Sequence, residues 1–239
     1  MRLNMQRRSS KSVAFIGVFA ALHVTLYLIS PAFLWRNWAI YLAPFEALIL
    51  GPYAGFSAAL IGSTLGRFIL PTNMWMFGII AEPLSVLAAG FLVRQKWQPV
   101  MAIYGIMFVG YFVSPFGPGR TLPLWPLADT IVAFCLIYPA AKLSKNLYSE
   151  NRKLLPFSLV LISFLTVATD ALVRVFLLIP AGLFSSVFGM DSGTLYLAFV
   201  GGGVDSFIED ALVVVVAMLV GIPIILALRK ILNLERPLS

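Results

Sequence analysis

Eight apolar runs separated by turn residues constrain this chain more than any motif does. They lie at about Val13–Ser30, Trp38–Leu50, Ala54–Leu70, Met76–Val93, Pro99–Ser114, Leu124–Leu143, Leu155–Ile179 and Val204–Leu228. A bilayer core about 30 Å thick takes about 20 apolar residues per helical crossing. The pattern therefore predicts an all-α integral membrane protein, a polytopic bundle of six to eight transmembrane helices, multi-pass in the plasma membrane. The second run is too short to cross upright and is expected to pack within the bundle. Composition agrees: the 239 residues are 60% hydrophobic and 11% charged, with mean hydropathy +0.95. Ordinary soluble domains carry roughly 25% charged residues, and the runs leave no room for a soluble catalytic domain. The expected organisation is a basic tail over residues 1–12, one bundle over 13–230 and a short tail over 231–239.

The net charge of +7 would suggest nucleic acid in a soluble protein, but in a membrane chain it is read by position. With the N-terminus in the cytoplasm, Arg2, Arg7, Arg8, Lys11, Arg94, Lys96, Lys142, Lys145, Arg152, Lys153, Arg229, Lys230 and Arg236 all fall inside, 13 of the 17 basic residues. Lysine and arginine mark cytoplasmic loops, so an even helix number with both termini cytoplasmic is expected, and no nucleic-acid partner. The basic start followed by an apolar run is longer than a signal peptide's core. Ser30-Pro31-Ala32 is also a poor cleavage site. One histidine, His23, and one cysteine, Cys135, are too few for a zinc or haem site or an intramolecular disulfide. No cofactor or metal is expected.

Charged side chains inside a membrane each cost about 2.5–3.5 kcal/mol near a helix centre, so nine of them demand an explanation. They are Glu46, Arg67, Glu82, Asp129, Asp170, Arg174, Asp205, Glu209 and Asp210. In the topology above nearly all lie at mid-depth or in the outer half, as a polar cavity open outward and closed toward the cytoplasm would require. Asp170 and Arg174, four apart on one helix, are expected to pair. Asp205 and Glu209 share a face and need a cation, a proton or an arginine opposite, for which Arg67 and Arg174 are the candidates. Glu46 and Glu82 stand alone on their helices. With Asp191, the outer half holds eight acids against four arginines, a balance that suits a cationic or zwitterionic ligand or protonated carboxyls. The alternative is that these groups only satisfy one another and fix the register of the bundle.

Small residues supply two stripes. Ala14, Gly17 and Ala21 share one face of the first helix, and Gly55, Ala59, Gly62 and Gly66 one face of the third. Such faces allow close helix approach within the bundle or against a partner. Gly201-Gly202-Gly203 is read either as a flexible start to the last helix, with Asp205 near its N-terminus, or as an unwound segment facing a ligand. No Walker motif, Gly-x-Ser-x-Gly or Gly-x-Gly-Asp motif occurs, so neither nucleotide hydrolysis by that route nor intramembrane proteolysis is indicated. The chain is not expected to be an enzyme.

The run from Pro44-Phe45-Glu46 through Gly51-Pro52-Tyr53-Ala54-Gly55 to Ala59, Gly62 and Gly66 resembles the second and third helices of energy-coupling factor transporter S components. These share an apolar helix, a Gly-Pro turn and then small residues every three or four positions. Thr169-Asp170, Arg174, Pro180, Glu209 and Gly221-Ile222-Pro223 look like archaeal-type members. The resemblance implies a substrate-binding membrane subunit that captures a vitamin or other micronutrient in an outward-facing pocket. A separate T component and two ATPase subunits would drive uptake. It implies that Ala14, Gly17 and Ala21 contact the T component, and that the loop Pro31 to Ala43, with Trp35, Arg36, Asn37 and Trp38, helps to form the pocket. Asn73 and Trp75, before and at the start of the fourth helix, and the intramembrane charges complete the candidate set. The family has six helices and eight are counted here, so either two segments do not span or this is an enlarged member. A stand-alone proton- or sodium-coupled carrier is the rival reading, and a membrane enzyme or scaffold a further one.

Overall fold

The computed structural model describes residues 2–30, 37–72, 74–116, 121–149 and 153–232, and no strand occurs among them. Ten α-helices follow in order: α1 Arg2–Leu28, α2 Ala43–Leu50, α3 Pro52–Ile69, α4 Trp75–Val93, α5 Trp97–Val113, α6 Ala128–Leu143, α7 Leu155–Leu178, α8 Leu183–Ser186, α9 Ser192–Val216 and α10 Ile222–Leu232. Short 3-10 turns precede α2 (Trp38–Tyr41) and α6 (Trp125–Leu127), another follows α6 (Ser144–Leu147), and a π-turn, Ala217–Gly221, joins α9 to α10. Four segments are long and apolar enough to cross a membrane: Trp75–Val93, Trp125–Leu147, Leu155–Leu178 and Ser192–Ala227. Shorter apolar helices lie at Ser12–Leu28, Trp38–Leu50 and Trp97–Val113.

The helices α4 and α7 lie against each other at the centre and are the most buried of the long segments. Around them, α3 packs on α4 and on α1, α2 packs on α3 and α4, and α6 and α9 pack on α7. The eight residues of α2 reach only about 12 Å at 1.5 Å per residue, which explains why this apolar segment is buried along its whole length. It turns into α3 at Gly51, whose φ of +84° favours a residue without Cβ. Pro52 then starts α3, where its missing N–H costs nothing. This corner is also where α4 comes closest: a Cβ on Gly90 would lie 2.4 Å from Pro52 Cα.

The small stripe of α3 serves the inside of the bundle. A Cβ on Gly55 would meet Val86 and the Glu46 carbonyl, one on Gly62 would lie 2.5 Å from His23 Cβ, and one on Gly66 would meet the Tyr27 ring at 2.8 Å. The α1 stripe behaves differently: Ala14, Gly17 and Ala21 are exposed, and nothing lies within 4 Å of a Cβ built on Gly17.

Two boundaries differ from the sequence reading. Helical backbone in α1 already begins at Arg2, within the expected tail. The last helix begins at Ser192, capped by Asp191, whose side chain accepts from Thr194 N–H at 2.7 Å. It runs without interruption through Gly201-Gly202-Gly203, so the glycines are neither a flexible start nor an unwound segment, and Asp205 lies more than three turns into the helix. Only Gly203 needs to be glycine for packing, because a Cβ there would lie 2.4 Å from Pro126 Cβ.

Candidate functional site

Glu82 on α4 is the hub. Its residue is fully buried, and Pro83 follows it inside the helix. A proline there has no N–H to give the Ile79 carbonyl, which loosens the helix beside the carboxylate. Arg67 from α3 approaches both Glu82 oxygens, Nη2 to Oε1 at 2.5 Å and Nη1 to Oε2 at 3.1 Å. Bidentate arginine–carboxylate pairs are the strong ones. The guanidinium is held further by the Ser63 carbonyl at 3.1 Å and by the Tyr27 ring, whose centroid is 4.9 Å away. It lies flat against Gly78, where a Cβ would come within 1.6 Å of Nη2.

Three more side chains contact this pair, and two acids stand behind them. Asn37 Nδ2 donates to Glu82 Oε1 at 3.1 Å, while its own Oδ1 caps the 3-10 turn through Ala39 N–H. Arg174 Nη2 lies 3.5 Å from the same Glu82 oxygen, and its Nε donates to Asp170 Oδ2 at 2.6 Å across one turn of α7. His23, fully buried on α1, stands between two carboxylates, with Nδ1 3.0 Å from Glu46 Oε1 and Nε2 3.1 Å from Glu82 Oε2. The second oxygen of Glu46 has no hydrogen-bond partner among the described residues. Arg174 is the open member of the cluster: its side chain is 24% exposed, against 0% for those of Glu82 and Asp170.

A second polar group lies between α5, α6, α7 and α9. Asp129 accepts from Ser206 Oγ and from Thr130 N–H, and Tyr104 OH pairs with Thr169 Oγ1 at 2.9 Å. Glu209 and Asp210 on α9 are buried, and Asp205 is half-buried.

The candidates from the sequence therefore separate. Asn37, Glu46, Arg67, Glu82, Asp170 and Arg174 come together in one cluster, and Asp129 belongs to the neighbouring one. Trp75 is exposed at the start of α4, while Trp35, Arg36 and Asn73 lie outside the described residues. Arg67 pairs with Glu82, and Arg174 with Glu82 and Asp170; Glu209 of α9 also acts electrostatically on Arg174. His23 is the residue sequence reasoning missed as a site member. Its only signal was a single imidazole within an apolar helix, which becomes informative only when two unassigned acids are placed opposite it.

On the lateral side, α1, the Trp38–Tyr41 turn and the α9–α10 helix border an apolar cavity of about 530 Å³. Leu22, Leu26, Phe45, Leu212, Val216 and Val220 are among its lining residues, and no charged residue lines it.

The chain is similar to an uncharacterized protein of Methanocaldococcus jannaschii, 31% identical over 130 residues, which is 52% of this chain and 42% of that relative. The chain thus spans less than half of the relative's length. No protein-family profile and no solved structure matches it.

Proposed function

We propose that this chain is the substrate-specific membrane subunit of an energy-coupling factor type transporter. It holds a vitamin or other small micronutrient in an outward-facing pocket, and uptake is driven by a separate T component and two ATPase subunits. The observation that carries this reading is the one-sided placement of buried charge. Arg67 lies near the end of α3 and Asp170 and Arg174 near the end of α7, while Glu82 lies in the first half of α4 and Asp129 in the first turn of α6. At the opposite end of the same helices the buried polar groups are neutral, among them Ser144, Asn146 and Ser158. A continuous channel needs polar positions at both depths, whereas a capture site needs them at one.

That end, free of buried charge, is also where Arg94, Lys96, Lys145 and Lys153 flank their helices and Lys142 lies in the last turn of α6. That placement supports a multi-pass plasma-membrane protein of six to eight crossings with both termini cytoplasmic. Arg174, partly exposed and bound to two acids, is the group on which an incoming polar ligand would act first. The exposed face Ala14, Gly17 and Ala21 is the contact for the T component.

Purification in mild detergent, with mass spectrometry of co-purifying proteins and small molecules, tests the proposal. A T component, ATPases and a bound nutrient are expected. A lone protein that supports uptake in vesicles under a proton gradient would overturn it in favour of a proton-coupled carrier. The hydrogen-bonded chain Glu46–His23–Glu82 is the observation that favours that second reading.

A further inference from the structure

The contacts of His23 fix a proton count independently of any nutrient. Each ring nitrogen lies within hydrogen-bond distance of a carboxylate oxygen, so each of the two N···O lines needs one hydrogen. A neutral imidazole carries only one N–H. Glu82 already accepts from Arg67, Asn37 and Arg174, so it takes the Nε2 hydrogen. The line between Nδ1 and Glu46 Oε1 must then hold a second hydrogen, on one atom or the other. Glu46 is fully buried and its Oε2 has no donor among the described residues, an arrangement far less costly for a shared or neutralised carboxyl than for a bare carboxylate.

The charged groups around His23 come from every element packed on it. Glu46 from α2 and Glu82 from α4 touch the ring, Arg67 from α3, Arg174 from α7 and the neutral Asn37 from the turn before α2 stand behind Glu82, and Tyr27 of α1, Asp170 of α7 and Glu209 of α9 act on those arginines. Both arginines lie on the Glu82 side, so Glu46 meets its positive partner in the His23 ring.

We propose that His23 and Glu46 together form a proton-binding site that latches α1 onto the bundle. The helix α1 packs on α3, α2 and the 3-10 turn. His23 is its one described side chain hydrogen-bonded to the buried acids; Tyr27 adds an OH bond to the Leu70 carbonyl at 2.9 Å and a ring contact to the Arg67 guanidinium. Removing the proton leaves two carboxylates around a neutral ring. Glu46 then regains a positive partner only by reprotonation, or by α1 lifting to admit water and a cation. This goes beyond nutrient capture and holds whether or not that reading does.

His23 is the single histidine of the chain, so histidine labelled with nitrogen-15 reports this ring alone. The full chain in lipid nanodiscs is titrated between about pH 5 and 11, past the window of about pH 5 to 8 in which an unperturbed histidine changes charge, because two carboxylates flank this ring. Backbone hydrogen exchange of α1 is followed in parallel, referenced to amides of α7 to remove the intrinsic effect of pH. The expected result is one step in the ring signals, with α1 exchange rising roughly tenfold relative to α7 at the same pH. Glu46→Gln should abolish the step while the ring keeps its contact with Glu82. No step in the wild type, a step without a change in α1 exchange, or the wild-type step persisting in Glu46→Gln would each overturn the proposal. The two wild-type readouts decide it alone if the variant does not fold.

Discussion

Substituting Gly78 by alanine tests the cluster through a residue that bears no charge. The new Cβ would lie 1.6 Å from Arg67 Nη2 and 2.1 Å from its Cζ, so the guanidinium must leave its position. Moving it breaks both contacts to Glu82 and the stack on Tyr27. Breaking a buried ion pair by removing one partner costs about 3–5 kcal/mol. The surviving contacts of Glu82 to His23, Asn37 and Arg174 place Gly78→Ala toward the lower end, at about 3 kcal/mol. The assay is reversible denaturant unfolding of the purified protein in micelles, run as a cycle with Arg67→Met. In the Arg67→Met background the methyl meets a flexible, uncharged side chain, and Gly78→Ala should cost less than about 1 kcal/mol. The expected coupling is therefore about 2–3 kcal/mol, within the range found for residues in contact. A Gly78→Ala protein as stable as wild type, or one whose loss is the same in both backgrounds, would refute the reasoning.

Other outcomes follow from single contacts. Gly203→Ala should destabilise by about 1–3 kcal/mol because α9 must move off Pro126, whereas Gly201→Ala and Gly202→Ala, with open space at both positions, should stabilise by about 0.5–1 kcal/mol; unfolding midpoints of the three separate these cases. Arg174→Ala should abolish nutrient binding at unchanged expression, while Glu82→Gln should abolish binding and also lower stability; unchanged affinity in both would remove the pocket assignment. Gly17→Leu and Ala21→Leu should impair uptake in cells but not binding by the isolated chain. The cap at Asp191 should be pH-dependent: hydrogen bonds from Thr194 hold its carboxyl below the usual aspartate range. The stabilisation is then complete above that range and disappears as pH falls through the lowered value. Amide exchange at Thr194 and Leu195 reads this, and Asp191→Asn should keep the cap without the pH dependence.

How far the sequence discloses this site depends on whether a residue's partner is local. Asp170 and Arg174 are four apart, and their pairing could be foreseen from helix geometry alone. The partners of Glu82 come from four other elements at separations of 15 to 92 residues, and no spacing rule reaches them. That is why Glu46 and Glu82 stand unexplained in the sequence, and why it does not show that both arginines converge on Glu82. The Gly51-Pro52 corner was legible because proline and a left-handed glycine are intrinsic turn chemistry. The triple glycine was misjudged for the opposite reason: low helix propensity suggested a break, but the Asp191 cap starts α9 upstream and packing carries the helix through it.

The distribution of charge among the helices also bears on how such a chain enters a bilayer during synthesis. On the multi-pass reading, the segment from α1 to α4 already contains Arg67 for Glu82 and the His23 proton for Glu46, so its four ionisable groups balance before later helices emerge. The pair on α7 balances itself within one turn. Each portion could thus leave the translocation machinery electrically neutral, and docking of α7 against α4 would join two finished units. The exception is the last long helix, whose Asp205, Glu209 and Asp210 arrive with no basic residue nearby in sequence, making its insertion the step most dependent on the bundle already assembled.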